Sequence, residues 1–324
     1  MFRSTLKWIT RMRTTRLMAT NYRRTARSLT SSVLEYRHEN GRHYHKFREG
    51  SYMLPNDETE KERLDMLHEM CLLVLYRKLY LAPIKNPQRV VDLGTGTGIW
   101  ALDFGSLLQV IDCDLSPIQP SLVPPNVKFR VDDIESEWTY ENNPFDFIHA
   151  RYLALSIRDF GKLLKQCYRS VKSGGWVEFR DWDTTPKSED GSVNGTGLQR
   201  YYDELQSASN GAGYAASPGA KLEQWFTDAG FVNIHVEKFV IPYGVWPKDR
   251  HLVSFPPLCS APGLGHRQKP LASACAMLAA LTRFKQWTKE EVLLLASQAR
   301  ADSRRRDVHA MFGFYVVYGQ RLED

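Results

Sequence analysis

The chain has 324 residues, of which 43% are hydrophobic, and this suits one sizeable α/β domain with additions or two small domains. No apolar run approaches the roughly 18 residues needed to span a bilayer, and the five scattered cysteines form no C-x-x-C pair, so we expect no membrane span, zinc site or disulfide framework. Eight Lys or Arg and no acid lie between Met1 and Leu34, and without them the net charge changes from +6 to −2. The rest of the chain is therefore nearly neutral, and its composition provides no basic patch for nucleic acid.

The first segment, residues 1–34, is rich in Arg, Ser and Thr and lacks acids. That composition is typical of a mitochondrial transit peptide. It also fits a disordered basic tail that like-charge repulsion keeps extended, and pairs such as Arg23 and Arg24 occur in nuclear import signals. The compartment is therefore left open between cytoplasm, nucleus and mitochondria.

Residues 35–85 are expected to form an N-terminal lid, with an irregular aromatic stretch at 42–55 and then a helix. From Asn56 to Glu60 the chain offers an N-cap and an acidic first turn. Hydrophobic residues then recur near the helical period. This predicts a long amphipathic helix that ends before Pro83.

The body of the chain, residues 86–324, alternates between strand and helix patterns. Strands are predicted at 89–93, 109–113, 127–131, 145–149 and 176–180, and helices at 99–107 and 157–171. Such alternation implies a parallel sheet with helices on both faces.

The pattern changes after residue 183. Helices are predicted at 198–208 and 220–229, and strands at 231–240 and 312–319. The long insert between these strands, residues 242–306, is mostly helical toward its end. Within it, residues 251–270 are rich in Pro and Gly, which break helices.

The strongest motif joins the first strand of the sheet to the next helix and reads V-V-D-L-G-T-G-T-G-I-W from Val90. Its glycines tolerate positive φ and let the backbone approach a ligand at the carboxyl ends of the strands. The spacing is G-x-G-x-G, which differs from a dinucleotide motif, and no Lys follows as in a P-loop. A ligand without phosphate, such as S-adenosylmethionine, fits this turn. The candidate cofactor-binding residues are Asp92, Gly94, Thr95, Gly96 and Gly98.

Acids follow the next two strands. Asp114 ends the second strand, where a carboxylate binds ribose hydroxyls, and Leu115 follows it. Asp112 competes for this role, but its position in the strand favours Asp114. Asp133 ends the third strand and can accept a hydrogen bond from the adenine amino group, with the N–H of Ile134 beside it for a ring nitrogen.

Three further side chains have two interpretations each. His149 ends the fourth strand and is either a general base for an acceptor that carries its proton or a structural histidine behind Arg151. Arg151 pairs either with the cofactor carboxylate or with acids of the sheet. Tyr52 either places an electron-rich ring against the cofactor sulfonium or plugs the edge of the sheet.

These residues resemble class I S-adenosylmethionine-dependent methyltransferases and, more narrowly, the fungal LaeA-like group. Beside the glycine motif, the resemblance is carried by Y-M-L-P-N-D from Tyr52, D-L-S-P-I-Q-P from Asp114, F-D-F-I-H-A-R from Phe145, G-G-W-V-E from Gly174 and W-P-K-D from Trp246. It implies a Rossmann-like seven-stranded, mostly parallel sheet whose last strand is antiparallel, with helices on both faces. A helical lid at the N-terminus and a helical insert before the last strand complete the expected fold.

The resemblance also implies S-adenosylmethionine as cofactor and fungal secondary metabolism as the setting. Members of the group either methylate small molecules or act as nuclear regulators that associate with velvet-type proteins, and both alternatives are kept. A nucleic-acid methyltransferase is disfavoured, because the fourth strand lacks the Asn/Asp-Pro-Pro-Tyr/Phe motif that receives a flipped base.

Overall fold

The computed structural model describes residues 36–45, 53–105, 109–248 and 275–323. The tail 1–34, Tyr52 and the stretch 251–270 lie outside the described residues. In chain order the elements are β1 (Tyr36–Glu39), β2 (Arg42–His45), α1 (Glu58–Val74), β3 (Arg89–Leu93), α2 (Ile99–Phe104), β4 (Gln109–Asp114), β5 (Val127–Val131), β6 (Phe145–Arg151), α3 (Phe160–Ser170), β7 (Val171–Lys187), α4 (Gly197–Gly211), a 3₁₀ turn (Gly219–Lys221), α5 (Leu222–Asp228), β8 (Val232–Pro242), α6 (Cys275–Phe284), α7 (Lys289–Ser303) and β9 (Met311–Gln320).

Strands β3 to β9 form one seven-stranded sheet in the order β5-β4-β3-β6-β7-β9-β8. The strands from β5 to β7 pair in parallel, while β9 runs antiparallel to both β7 and β8. This confirms the predicted Rossmann-like, mostly parallel sheet with an antiparallel last strand. Its carboxyl edge gathers the ends of β3, β4, β5 and β6, which is where the candidate site was expected.

Helices cover both faces of the sheet, as predicted. Successive residues of a strand point to opposite faces, so neighbouring valines in β3 enter different cores. Val90 belongs to the hydrophobic cluster that contains Trp100 of α2, and Val91 belongs to the cluster on the other face that contains Leu164 of α3 and Phe226 of α5. None of the helices within the described ranges has the length and apolarity to cross a membrane.

The N-terminal segment differs from the prediction. Residues 36–45 form an antiparallel hairpin, whereas an irregular stretch was expected from residue 42. The backbone N–H of Asn56 bonds to the carbonyl of His43, and Arg42 forms an ion pair with Asp57, the N-cap of α1. These tertiary contacts hold the hairpin against the start of α1, and no local pattern reports them.

Several element boundaries also differ. Helix α1 ends at Val74, before the predicted position near Pro83, because Tyr76 and Arg77 have left-handed φ values of 52° and 66°. Strand β7 begins at Val171 instead of residue 176, since it pairs with Phe145 before a shift in register. The insert holds two helices, α6 and α7, and Thr288 closes a capping box with Glu291 at the start of α7.

Candidate functional site

The turn from β3 to α2 contains Gly94, Gly96 and Gly98 and is named the glycine turn. It has the backbone conformation that the sequence predicts. Its glycines all have left-handed φ values, which are 66° at Gly94, 59° at Gly96 and 77° at Gly98. A Cβ added at Gly94 would lie 2.7 Å from Leu153, and one at Gly96 would lie 3.1 Å from Leu64. Glycine is therefore required both by conformation and by the close approach of neighbouring elements.

Asp114 lies at the end of β4, directly beside this turn. Its carboxylate accepts hydrogen bonds from the backbone N–H of Gly96 at 2.8 Å and of Ser116 at 2.9 Å. Burial raises the pKa of Asp114 to about 6. Each oxygen has a second lone-pair direction, so the carboxylate can still accept hydroxyl groups of a ligand. Asp112, by contrast, is completely buried, and this favours Asp114 for the ribose role.

The end of β5 lies next to the end of β4, because Asp114 pairs with Val131. Asp133 accepts a hydrogen bond from the N–H of Glu135 at 2.8 Å, and its side chain is partly exposed. Leu115 and Ile134 are also partly exposed. The structure therefore brings together the residues that were predicted for ribose and adenine.

Asp92 has a structural position beneath the glycine turn. One carboxylate oxygen accepts from the hydroxyl of Thr95 at 2.8 Å, and the other accepts from Nδ1 of His149 at 2.7 Å. Asp92 is 1% exposed, so these bonds form inside the protein. They tie the turn to the neighbouring strand β6.

The hypothesis that His149 is a general base does not fit this geometry. The side chain is completely buried, and its ring stacks on Trp100 with centroids 3.9 Å apart. Burial lowers the pKa of His149 to about 4. A ring enclosed between Trp100 and Asp92 cannot reach an acceptor, and His149 is better explained as a structural residue.

Helix α1 packs over the glycine turn. Leu64 packs against Gly96, and Asp65 accepts a hydrogen bond from the hydroxyl of Thr97 at 2.7 Å. Leu64 and Asp65 lie on the inner side of α1, one turn before His68. Helical periodicity placed α1 in the chain but could not show which elements its polar residues would meet.

His68 is a site residue that the sequence interpretation missed. Its Nδ1 lies 2.8 Å from a terminal nitrogen of Arg151, and its Nε2 lies 3.0 Å from the carboxylate of Asp103. Arg151 ends β6 and is 8% exposed. The only sequence signal was a histidine on the apolar side of α1, and such a residue is more often part of a core.

Other acids near the carboxyl edge have structural roles. Glu178 accepts from the N–H groups of Leu81 and Ala82, both at 2.7 Å, and bonds Arg180. Asp181 accepts from the N–H of Ala154 at 2.9 Å, and burial raises its pKa to about 7. Glu178 thus fastens the loop after α1 to the sheet.

The residues at this edge fit S-adenosylmethionine. The glycine turn, which leaves no room for side chains, and the half-buried acid at the end of β4 match the adenosine part of that molecule. The buried guanidinium at the end of β6 matches its amino-acid part. A Rossmann-like sheet with these features is typical of class I S-adenosylmethionine-dependent methyltransferases.

Comparisons with known proteins agree. The sequence profile of the family described as a methyltransferase domain matches residues 63–236. The methyltransferase PytC of Aspergillus terreus is 40% identical over 301 residues, which are 91% of this chain and 90% of that protein. The protein-methionine methyltransferase LaeA of Emericella nidulans is 30% identical over 296 residues, which are 89% of this chain and 76% of that protein.

A solved structure of a more distant protein is also similar. Phosphoethanolamine N-methyltransferase 2 of Haemonchus contortus, in complex with S-adenosyl-L-methionine, is 19% identical with a TM-score of 0.43. The match covers 85% of this chain and 55% of that one. Similarity at this level carries no argument about function.

The chain belongs to the methyltransferase-domain family, in the group that includes LaeA and PytC. It is an S-adenosylmethionine-dependent methyltransferase, and the cofactor supplies a methyl group that its sulfonium activates for transfer.

Proposed function

We propose that the protein transfers the methyl group to a small-molecule acceptor in fungal secondary metabolism. The observation that supports this proposal is that the chain is 40% identical, across nine-tenths of both chains, to a protein named methyltransferase, which is more than its 30% identity to LaeA, a protein named secondary metabolism regulator. Identity to LaeA is lower, and LaeA extends further beyond the matched region. The nearly neutral body of the chain also favours an uncharged organic acceptor over nucleic acid.

In this proposal the cofactor is held along the carboxyl edge of the sheet. The glycine turn receives its backbone contacts, Asp114 accepts the ribose hydroxyls, and Leu115 lies beside the adenosine. Asp133 and the N–H of Ile134 bind the edge of the adenine, and Arg151 binds the carboxylate. Support comes from the convergence of these residues on one edge and from the buried position of Arg151.

The chain's main contribution to methyl transfer is alignment. The leaving group is already activated by its charge, so the protein must chiefly hold donor and acceptor in line and exclude water. Helix α1 serves the second purpose, since Leu64 covers Gly96. Because His149 is enclosed, an acceptor that must lose a proton loses it to another group or to solvent.

The alternative is a nuclear regulator that binds the cofactor and acts through a velvet-type protein partner. It is favoured by the similarity to proteins named secondary metabolism regulator LaeA, one of which is 30% identical over 296 residues. In this alternative the basic tail directs the protein to the nucleus. In the first proposal the protein is cytoplasmic, or mitochondrial if the tail acts as a transit peptide.

The test uses the full chain, S-adenosylmethionine with an isotopically labelled methyl group, and an extract of a fungal strain that lacks the gene. We expect label in the small-molecule fraction, where mass spectrometry identifies the acceptor. Label that enters only the protein fraction would overturn the small-molecule proposal and favour the regulator. A Gly96→Arg variant controls for transfer by other enzymes in the extract.

A further inference from the structure

Arg151 is a buried positive charge whose surroundings are unusual. It is 8% exposed, and within the described ranges it forms no ion pair with a carboxylate. Its guanidinium contacts His68 through a hydrogen bond, and its Cζ lies 5.9 Å from the centroid of the Tyr152 ring. A buried charge without a counter-ion is costly, so this position favours an anion supplied by a ligand.

The hydrogen-bonding partners determine the protonation of His68. A guanidinium has only donors, so Nδ1 of His68 must accept from Arg151 and carries no proton. The ring proton is then on Nε2, which donates to the carboxylate of Asp103. Neutral His68 therefore connects Asp103 of α2 to Arg151 of β6.

His68 belongs to the same side of α1 that covers the glycine turn. Leu64 and Asp65, one turn earlier, contact Gly96 and Thr97. Directly after Arg151, the hydroxyl of Tyr152 donates to the carbonyl of Leu67 at 2.9 Å. The orientation of the guanidinium is thus set by the docking of α1.

We propose that Asp103, His68 and Arg151 form a relay in which His68 is a positioning residue for the cofactor's amino-acid end. His68 directs the Arg151 guanidinium toward the cofactor carboxylate and links its capture to the docking of α1 over the glycine turn. This inference rests on the proposed role of Arg151 in cofactor binding.

The relay acts on one end of the ligand only. S-adenosylhomocysteine has the carboxylate, whereas 5′-methylthioadenosine has the same adenosine without the amino-acid arm. Loss of the relay therefore weakens the first ligand and spares the second, which depends on Asp114 and the glycine turn. A residue that merely stabilises the fold would affect both ligands alike.

The protonation argument gives a second readout. Burial and the charge of Arg151 lower the pKa of His68, while Asp103 and Glu69 oppose the shift. Once protonated, His68 can no longer accept from Arg151. The ratio of the two affinities, S-adenosylhomocysteine over 5′-methylthioadenosine, should therefore stay constant near neutral pH and fall in acid.

The experiment is calorimetric titration of both ligands into the full chain and its His68→Leu, His68→Asn and Glu62→Gln variants. In His68→Leu we expect affinity for S-adenosylhomocysteine to fall about 10- to 100-fold, the cost of a lost hydrogen bond to a buried charge, with 5′-methylthioadenosine changed less than about twofold. The Asn side chain retains an acceptor near Nδ1, so His68→Asn should keep most of the affinity. Glu62 is exposed on the outer side of α1, and its variant should bind like wild type.

Equal weakening of both ligands in His68→Leu would overturn the relay and leave His68 a structural residue. Failure of the wild type to bind either ligand would instead refute the proposed cofactor site itself. If His68→Leu does not fold, Asp103→Ala takes its place, because Asp103 is partly exposed and the variant removes the carboxylate that accepts from Nε2 of His68, which should weaken S-adenosylhomocysteine alone.

Discussion

At the scale of single residues, Asp92 joins the glycine turn to the sheet. It pairs across the sheet with Asp112 on one side and His149 on the other. Its two oxygens are taken by Thr95 and His149, whereas neither oxygen of Asp112 has a partner within the described part of the chain. Burial and the nearby Asp92 raise the pKa of Asp112 well above its usual range.

The space above Gly96 can be tested by filling it. Gly96→Arg should weaken S-adenosylhomocysteine at least about 100-fold, because a side chain there collides with Leu64 and occupies the ligand's place. Gly195→Arg is the matched control, since Gly195 also has positive φ, 72°, but has no atom within 4 Å of an added Cβ. Calorimetry should show near-normal binding in the control. Retained binding in Gly96→Arg would place the cofactor elsewhere.

Asp114, at the end of β4, should make ligand affinity depend on pH. Burial raises the pKa of Asp114 from 3.8 to about 6, so its carboxylate takes up a proton as the pH falls through about 6. A neutral acid is a weaker acceptor for ribose hydroxyls, and we expect the affinity for 5′-methylthioadenosine to fall about tenfold there. Because the folded-state pKa is the higher one, this group favours the folded state in acid and opposes it as the pH rises from about 4 to 6.

The loss of affinity near pH 6 is therefore not unfolding caused by Asp114. Titrations of Asp114→Asn between pH 5 and 8 provide the comparison: the variant should bind weakly throughout and show no step near about pH 6. If the affinity of Asp114→Asn falls near pH 6 by as much as that of the wild type, the group that titrates there is not Asp114.

At the scale of elements, the loop after α1 is fastened to β7 through a buried ion pair. Glu178 bonds Arg180 and the N–H groups of Leu81 and Ala82, while Arg180 donates to the carbonyl of Leu79. The indole N–H of Trp100 in α2 reaches the same carbonyl at 2.8 Å. Helix α2, which follows the glycine turn, and the sheet are thus connected through the loop after α1.

Removing the charge of Glu178 should destabilise the protein. We expect Glu178→Gln to lower the free energy of unfolding by about 3 kcal/mol, because Arg180 loses its counter-ion at a position where both residues are at most 1% exposed. Urea denaturation measures the change. Asp307→Asn removes an exposed partner of Arg305 and should leave the unfolding midpoint unchanged. Equal midpoints for both variants would contradict this account of the loop.

At the scale of the whole molecule, the proposed cofactor site is assembled from distant parts of the chain. One edge of the sheet brings together α1, α2 and the ends of β3 to β6, so a ligand that binds there should stabilise all of them together. At 100 times its dissociation constant, S-adenosylhomocysteine should add about 2.7 kcal/mol to the stability. For a chain of this size that corresponds to a rise in Tm of roughly 5 °C.

Thermal unfolding followed by circular dichroism measures this shift. The Gly96→Arg variant should unfold at the same temperature with and without the ligand. If saturating ligand leaves the Tm of the wild type unchanged, ligand binding does not stabilise α1, α2 and the strand ends together.

The elements of the sheet were largely predictable from the sequence. Strands β3 and β5 match their predicted bounds, because apolar runs between turn residues report a buried strand locally. The left-handed glycines of the turn and the position of Asp114 beside it were also predicted, since a close backbone approach needs particular residues in a short stretch. The hairpin at residues 36–45 was missed, because contacts such as the ion pair of Glu39 with Arg283 join residues far apart in the chain.

The sequence by itself determined the class of fold, the order of its elements and the position of the glycine turn, because each depends on periodicity or on neighbouring residues. Only the tertiary structure decided what the polar side chains do. It enclosed His149 against Trp100 and brought His68 to Arg151 and Asp103, which are 83 and 35 residues away along the chain. The physical reason is that burial and pairing are properties of packed elements, and the role of an ionisable group follows from them.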